Sequence, residues 1–194
     1  MKESKLFMVL LGCKPPGRHT EQHDIFFGVA PSIEELIPEM IDFWSSAAGK
    51  IHIDAWREVT AVNGHAISVK ERGAGKTEGG NPGQGLFFIN LGGYRENQFD
   101  EAHYKLLVVA GNVDSAKQMA KRDAFYLHTS IPDGPTNRNA MAHIDDKYGI
   151  DIDDAYEIQD ILPPASKNRV RILIGEAGTA THEDGMHLGY FKLP

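Results

Sequence analysis

The apolar residues of this chain come in runs of two kinds. Leu6–Leu11 is six consecutive apolar residues closed by Gly12, a pattern that predicts a strand buried on both faces. A polar stretch with Pro15, Pro16 and Gly17 follows, which reads as a loop, and Ile25–Ala30 reads as a second strand. From Ser32 the period changes. Ile33, Leu36, Ile37, Met40, Ile41 and Trp44 recur at helical spacing and form one apolar stripe. Ser32 and Glu35 have the spacing of a capping box, and Pro38 should kink the helix or move its start. Lys50–Val62 and His65–Glu71 then read as strands joined by Asn63-Gly64, a two-residue hairpin signal.

The same order returns later in the chain. Residues 6–30 and 86–110 align without a gap at an offset of 80, and eight of 25 positions are identical. They are Leu6/Leu86, Phe7/Phe87, Leu11/Leu91, Gly12/Gly92, Glu21/Glu101, His23/His103, Val29/Val109 and Ala30/Ala110. His52-Ile53-Asp54 recurs as His143-Ile144-Asp145, and Asp54-Ala55-Trp56 finds a counterpart in Asp154-Ala155-Tyr156. The second copy predicts strands at Leu86–Leu91 and Tyr104–Ala110, a helix over about 113–127 capped by Asn112, and strands at Ala155–Ile161 and Val170–Gly175. The expected fold is α+β, a tandem duplication of a ββαββ-like unit (two pseudo-twofold-related units with mixed or antiparallel sheets). Residues 1–71 form the first unit, 72–85 a Gly-rich linker, 86–175 the second unit, and 176–194 a C-terminal tail that is loose or docks.

The repeat also disposes of a misleading start. Basic and polar residues before Leu6–Leu11 and Cys13 resemble a short lipoprotein signal, but six apolar residues fall below the 7 to 15 of such a segment. The recurrence at Leu86 makes this run a strand.

Composition narrows the class of function. The 194 residues carry a formal charge of -7, so electrostatic binding of nucleic acid, which needs clustered Lys and Arg, is not expected. No apolar run has the length of a membrane span. A single cysteine forms no internal disulfide and suits a reducing cytoplasm. Glycine, at 20 residues, exceeds the roughly 14 of average usage, and six of them fall in residues 71–85. That stretch contains Gly73-Ala74-Gly75-Lys76-Thr77, like the end of a phosphate-binding loop, but Lys70 stands where the first glycine is needed and no helix can follow.

The candidate chemistry lies in the residues that recur. Extended backbone points His19, Glu21 and His23 to one face, and imidazole with carboxylate suits Zn, Fe or Ni. These three are the candidate metal ligands, although Phe99 replaces His19 in the second copy. Alternation likewise places His52 and Asp54, or His143 and Asp145, on one face of a strand. If each strand passes its Glu-x-His loop, Glu21, His23, His52 and Asp54 form one cluster, and Glu101, His103, His143 and Asp145 another. These eight are the candidate acid–base residues, since histidine titrates near neutrality. Cys13 is the one thiol, and Lys14 beside it could activate it. The acidic run 145–154 fails as a calcium loop, because placing Gly149 at the turn puts Ile144 at the first ligand position.

The runs Leu6–Asp24, His52–Val59, Leu86–Tyr94 with Glu101-x-His103, and His143–Pro164 together resemble a family of uncharacterised bacterial proteins known only as a domain of unknown function. The resemblance covers roughly residues 5–175. It implies a bacterial cytoplasmic protein of this duplicated architecture, and it implies no activity, cofactor or catalytic residue. Two classes of function follow from the residues. The first is a small-ligand-binding or interaction module, with a small molecule and a second copy in a homodimer as partners, and no nucleic acid or membrane. The second is a hydrolase or isomerase using the Glu/His/Asp cluster as general acid and base, with or without a divalent metal.

Overall fold

Among the described residues, hydrophobic runs and turn residues assemble ten strands, and the pairings between them are antiparallel. A computed structural model describes residues 3–47, 50–73, 80–93, 99–129, 151–180, 182 and 184–193. In chain order the strands are β1 (Lys5–Cys13), β2 (Gln22–Ala30), β3 (His52–Glu58), β4 (Ala61–Val62) and β5 (His65–Glu71), then β6 (Gly85–Gly93), β7 (Ala102–Ala110), β8 (Asp151–Glu157), β9 (Val170–Ala177) and β10 (His187–Lys192). Two longer helices accompany them, α1 (Ile37–Phe43) and α2 (Val113–Thr129). The class is α+β, with mostly antiparallel sheets and few helices. Among the described residues no helix is long and apolar enough to cross a membrane.

The chain packs as two units, residues 1–82 with 158–194 and residues 83–157. In the first, β1 lies inside a four-stranded sheet of order β10-β3-β1-β2. Its odd positions Phe7, Val9, Leu11 and Cys13 join Phe26, Leu36, Met40 and Ile53 in the core. The run is not buried equally on both faces as its continuity suggested, because Met8 and Leu10 are only half-buried. One face of the sheet carries the helix; the other stays partly open.

The helical stripe starts differently from the expected capping box. Ser32 makes no side-chain cap hydrogen bond, Ile33–Leu36 is a 3-10 turn, and Pro38 falls in the first turn of α1. Proline is tolerated there, where its missing N–H has no partner to lose. Leu36 and Met40 are fully buried, whereas Ile41 at the stripe's edge is exposed. The predicted strand from Lys50 to Val62 breaks after Glu58. Asp184 accepts from the Thr60 and Ala61 amides at 2.9 and 3.1 Å, which holds the break. Asn63 and Gly64 then take φ of 49° and 77°, the two positive values of a tight hairpin turn. β5 pairs with β9, giving a three-stranded sheet β4-β5-β9.

The second unit is a sheet of order β7-β6-β8 covered by α2. Asn112 Oδ1 accepts from the Ser115 amide at 2.9 Å, the cap that the sequence implied. Ala116 and Ala120 are fully buried against Phe87, Ile89 and Leu91, so small residues let this helix sit close to the strands. Strand β8 stops at Glu157 instead of running to Ile161. Ile158–Ile161 and Pro164–Arg169 are short helices of the first unit, and Pro163-Pro164 enforces the second of them.

The pairing registers of the two sheets correspond. Lys5 opposite Ala30 becomes Gly85 opposite Ala110, and Cys13 opposite Gln22 becomes Gly93 opposite Ala102, each displaced by 80. Phe7 opposite Glu58 becomes Phe87 opposite Glu157, with the partner displaced by 99.

Glu39 is an exception to good packing. Its Oε2 is buried without a hydrogen bond, and burial raises its carboxyl above the usual glutamate range, an effect that the Arg169 guanidinium partly offsets. A raised folded-state pKa means that ionisation costs stability as pH rises past the unfolded value. Glu39→Gln should therefore raise the unfolding midpoint at about pH 7 and change it little at about pH 3, where the carboxyl is protonated in both states. Thermal melts followed by circular dichroism at the two pH values give the answer.

Candidate functional site

Gly12 occupies the inner strand of the first unit's sheet, directly opposite His23 on one side and His52 on the other. Opposed residues in a sheet share a face, so both imidazoles rise beside a backbone position that has no side chain. Glu21, two residues before His23 in extended chain, comes to the same face. Asp54, two residues after His52, comes to this face as well. The pairing of β1 with β3 passes from Leu10–Ala55 to Leu11–Ile53, which leaves Asp54 unpaired in a β-bulge. The extra residue lets Ala55 take the place opposite Leu10 that Asp54 would otherwise hold.

The four side chains close into a ring. His52 Nε2 lies 3.1 Å from Glu21 Oε1 and 3.2 Å from Asp54 Oδ1. His23 Nε2 lies 3.2 Å from Asp54 Oδ2 and 3.8 Å from Glu21 Oε2. Each carboxylate therefore turns one oxygen to each imidazole. Burial is graded across the ring: the His52 side chain is 4% exposed, Asp54 25%, His23 44% and Glu21 45%. The Tyr190 ring of β10 packs on His52 at 4.2 Å. Despite its two near oxygens, His52 Nε2 makes no hydrogen bond, and neither does Asp54 Oδ2. Among the described residues no lysine or arginine is ion-paired with Glu21 or Asp54. Two negative charges thus converge on an unsatisfied nitrogen.

The second unit repeats much of this geometry. Gly92 lies opposite His103 and opposite Asp151, and Asp153 sits in a bulge where the pairing shifts between Asn90 and Leu91. His103 Nε2 is 3.3 Å from Asp153 Oδ2 and 3.9 Å from Glu101 Oε2. One donor atom from each of Glu101, His103 and Asp153 fits within 4.8 Å of the others, a spacing that a metal ion could fill. His143 and Asp145 lie outside the described residues. Asp153 was not among the sequence candidates, yet it holds the bulge position of Asp54. Its signal was the recurrence of x-Ile-Asp at 52–54 and 151–153, which the longer His-Ile-Asp match at 143–145 obscured. The alternative match of Asp54 to Asp154 runs one residue out of register, since Asp154 pairs with Asn90 and also accepts from its Nδ2 at 3.2 Å.

Other sequence candidates stand apart. His19 is exposed in the β1–β2 loop and takes no part in the ring. Cys13 belongs to the core on the opposite face from Gly12, with Sγ 3.9 Å from the Ala47 carbonyl. Burial first, and then the Glu21 charge, raise its thiol above the usual range, which suppresses the reactive thiolate. Of the phosphate-loop-like segment only Gly73 is described, and of the acidic run only 151–154, which belong to β8. His187 stacks on Trp56 at 3.9 Å and 11°.

Two outcomes check this picture. A methyl group at Gly12 would collide with Asp54 Oδ2 and His52 Nε2, so Gly12→Ala should cost about 1–3 kcal/mol and displace the His52 imidazole, read by denaturant unfolding and by its NMR ring signals. Native protein should resist iodoacetamide at Cys13 at neutral pH while the urea-unfolded chain reacts. Rapid labelling of the native state would contradict the buried, protonated thiol.

A search of the curated proteins finds no match. Among solved structures, the chain is similar to the protein Il1583 from Idiomarina loihiensis, at 24% identity and a TM-score of 0.62, over 99% of each chain. At that identity the likeness is one of fold. Residues 18–69, the segment that carries Glu21, His23, His52 and Asp54, match the family model described as Domain of Unknown Function (DUF1543).

Proposed function

We propose that this chain is a soluble, cytoplasmic small-ligand-binding module and that its ligand is a small cation seated on the Glu21–His23–His52–Asp54 ring. The observation that carries the reading is the buried His52 Nε2, which lies between two carboxylates and makes no hydrogen bond. An unsatisfied buried polar atom costs about 1–3 kcal/mol, and two uncompensated carboxylates repel each other. A cation on the ring offsets both costs. The two glycine-centred clusters, at corresponding registers, also support descent of the chain by tandem duplication of a ββαββ-like unit, with Gly12/Gly92, Glu21/Glu101, His23/His103 and Asp54/Asp153 as counterparts.

A second reading has one observation of its own. His23 is half exposed and backed by Asp54 at 3.2 Å, the arrangement of an oriented general base, which suits hydrolase or isomerase chemistry on the same ring.

Titration of the full chain with zinc chloride, spermidine and arginine, followed by the NMR ring signals of His23 and His52, tests the proposal. At least one of these cations should shift both signals in the wild type and fail to do so in the Glu21→Gln, Asp54→Asn double variant. Unmoved signals with all three would sink the cation-binding reading.

A further inference from the structure

We infer that the ring in the first unit is a site for a divalent transition-metal ion, held by Nε2 of His23 and of His52 and by carboxylate oxygens of Glu21 and Asp54. The inference rests on the cation-binding reading and names its ligand class. Three features select a metal over an organic cation. The first is the donor set. Two imidazole nitrogens with two carboxylates favour zinc, cobalt or nickel, whereas calcium and magnesium favour all-oxygen surroundings. The second is size. Bonds of about 2.0–2.2 Å place neighbouring donors of a tetrahedral ion roughly 3.3–3.6 Å apart. The four nitrogen–oxygen separations around the ring, 3.1, 3.2, 3.2 and 3.8 Å, lie near that range, each carboxylate presenting a different oxygen to each imidazole. Turning one oxygen of each carboxylate inward would let all four residues share one ion.

The third feature is the state of His52. Its side chain is 96% buried, from a side-chain exposure of 4%, and its Nε2 faces the two carboxylates without a hydrogen bond. A structural histidine ordinarily turns its buried ring nitrogen to a hydrogen-bond partner, as His65 does with Nδ1 at 2.8 Å from the Gly175 carbonyl oxygen. That nitrogen of His52, directed at both carboxylates, is the atom that an ion seated between them would bind. Gly12 completes the cradle, because a side chain there would collide with Asp54 Oδ2 and His52 Nε2. Among the described residues of the second unit the donors are Glu101, His103 and Asp153, which fit within 4.8 Å of one another, and Asp151 takes the register position of His52.

The test uses tag-free, full-length protein freed of metal by a chelator and titrated with cobalt chloride, read by visible absorption, with zinc binding read by calorimetry. Wild type should bind one cobalt equivalent through the first unit, with the ligand-field bands of a nitrogen- and oxygen-ligated ion. His23→Ala alters an exposed residue and should leave the melting curve near wild type while weakening zinc binding roughly ten-fold or more. His52→Gln should do the same, and Asp54→Asn provides a third reading if the buried substitution unfolds the chain. His103→Ala should leave this equivalent in place. Binding that survives His23→Ala and Asp54→Asn but disappears in His103→Ala would overturn the assignment. If neither cobalt nor zinc binds while spermidine or arginine still shifts the His52 signal, the metal inference falls and the cation-binding reading stands. If none of the four acts, both fall.

Discussion

The candidate site depends on a missing side chain. Position 12 lies on a strand with partners on both sides, where each neighbour's side chain on that face would ordinarily meet another. Glycine removes the middle one, and the space above its backbone takes the His52 imidazole and the Asp54 carboxylate. His23 and His52, separated by a full strand, thereby address a common region through the carboxylates between them. Position 92 follows the same logic, since a side chain there would approach Asp153 and Glu101 to 2.6 Å. Both glycines cost backbone entropy in a strand. No filled strand could hold the constellation that results.

The bulge at Asp54 is the second feature of this strand. Ile53 pairs with Leu11 in the interior while His52 and Asp54 flank it on the other face, and the extra residue puts Ala55 opposite Leu10 and Trp56 opposite Val9 on the core side. The same strand thus serves the core and the site, one residue apart. The helix α1 closes one face with Leu36 and Met40, so the chemistry is confined to the other. Cys13, one residue from Gly12, is committed to the core for the same reason of alternation.

A cation on this ring would also alter the standing of β10. Tyr190 packs on His52, and His187 stacks on Trp56 of β3. The C-terminal strand therefore touches a buried donor of the site while presenting Leu188, Tyr190 and Phe191 largely to solvent. Its hold on the sheet is mainly backbone pairing to β3, a contact that tolerates adjustment better than a packed core does.

Much of the fold was legible from spacing alone, because local physics sets it. The apolar runs fixed the strands near Leu6, Ile25, Leu86 and Tyr104. Asn63-Gly64 made a turn wherever it fell, and Asn112 capped a helix. The recurrence of Glu-x-His after each Gly-bearing strand singled out Glu21, His23, Glu101 and His103. Other features escaped for equally physical reasons. Alternation is blind to a bulge, so Asp153 went unseen and Asp54 was matched one residue out of place. Periodicity could not show that Met8 and Leu10 are only half-buried while Leu6 on the same face is buried, since coverage depends on which elements arrive from elsewhere. The sequence by itself determined the elements and the kinds of donor, because propensity, turn chemistry and side-chain type are properties of a few neighbouring residues. Only the tertiary structure decided which donors meet over Gly12 and which nitrogen is left without a hydrogen bond, because strand pairing sets His23 and His52, well separated along the chain, on either side of Gly12.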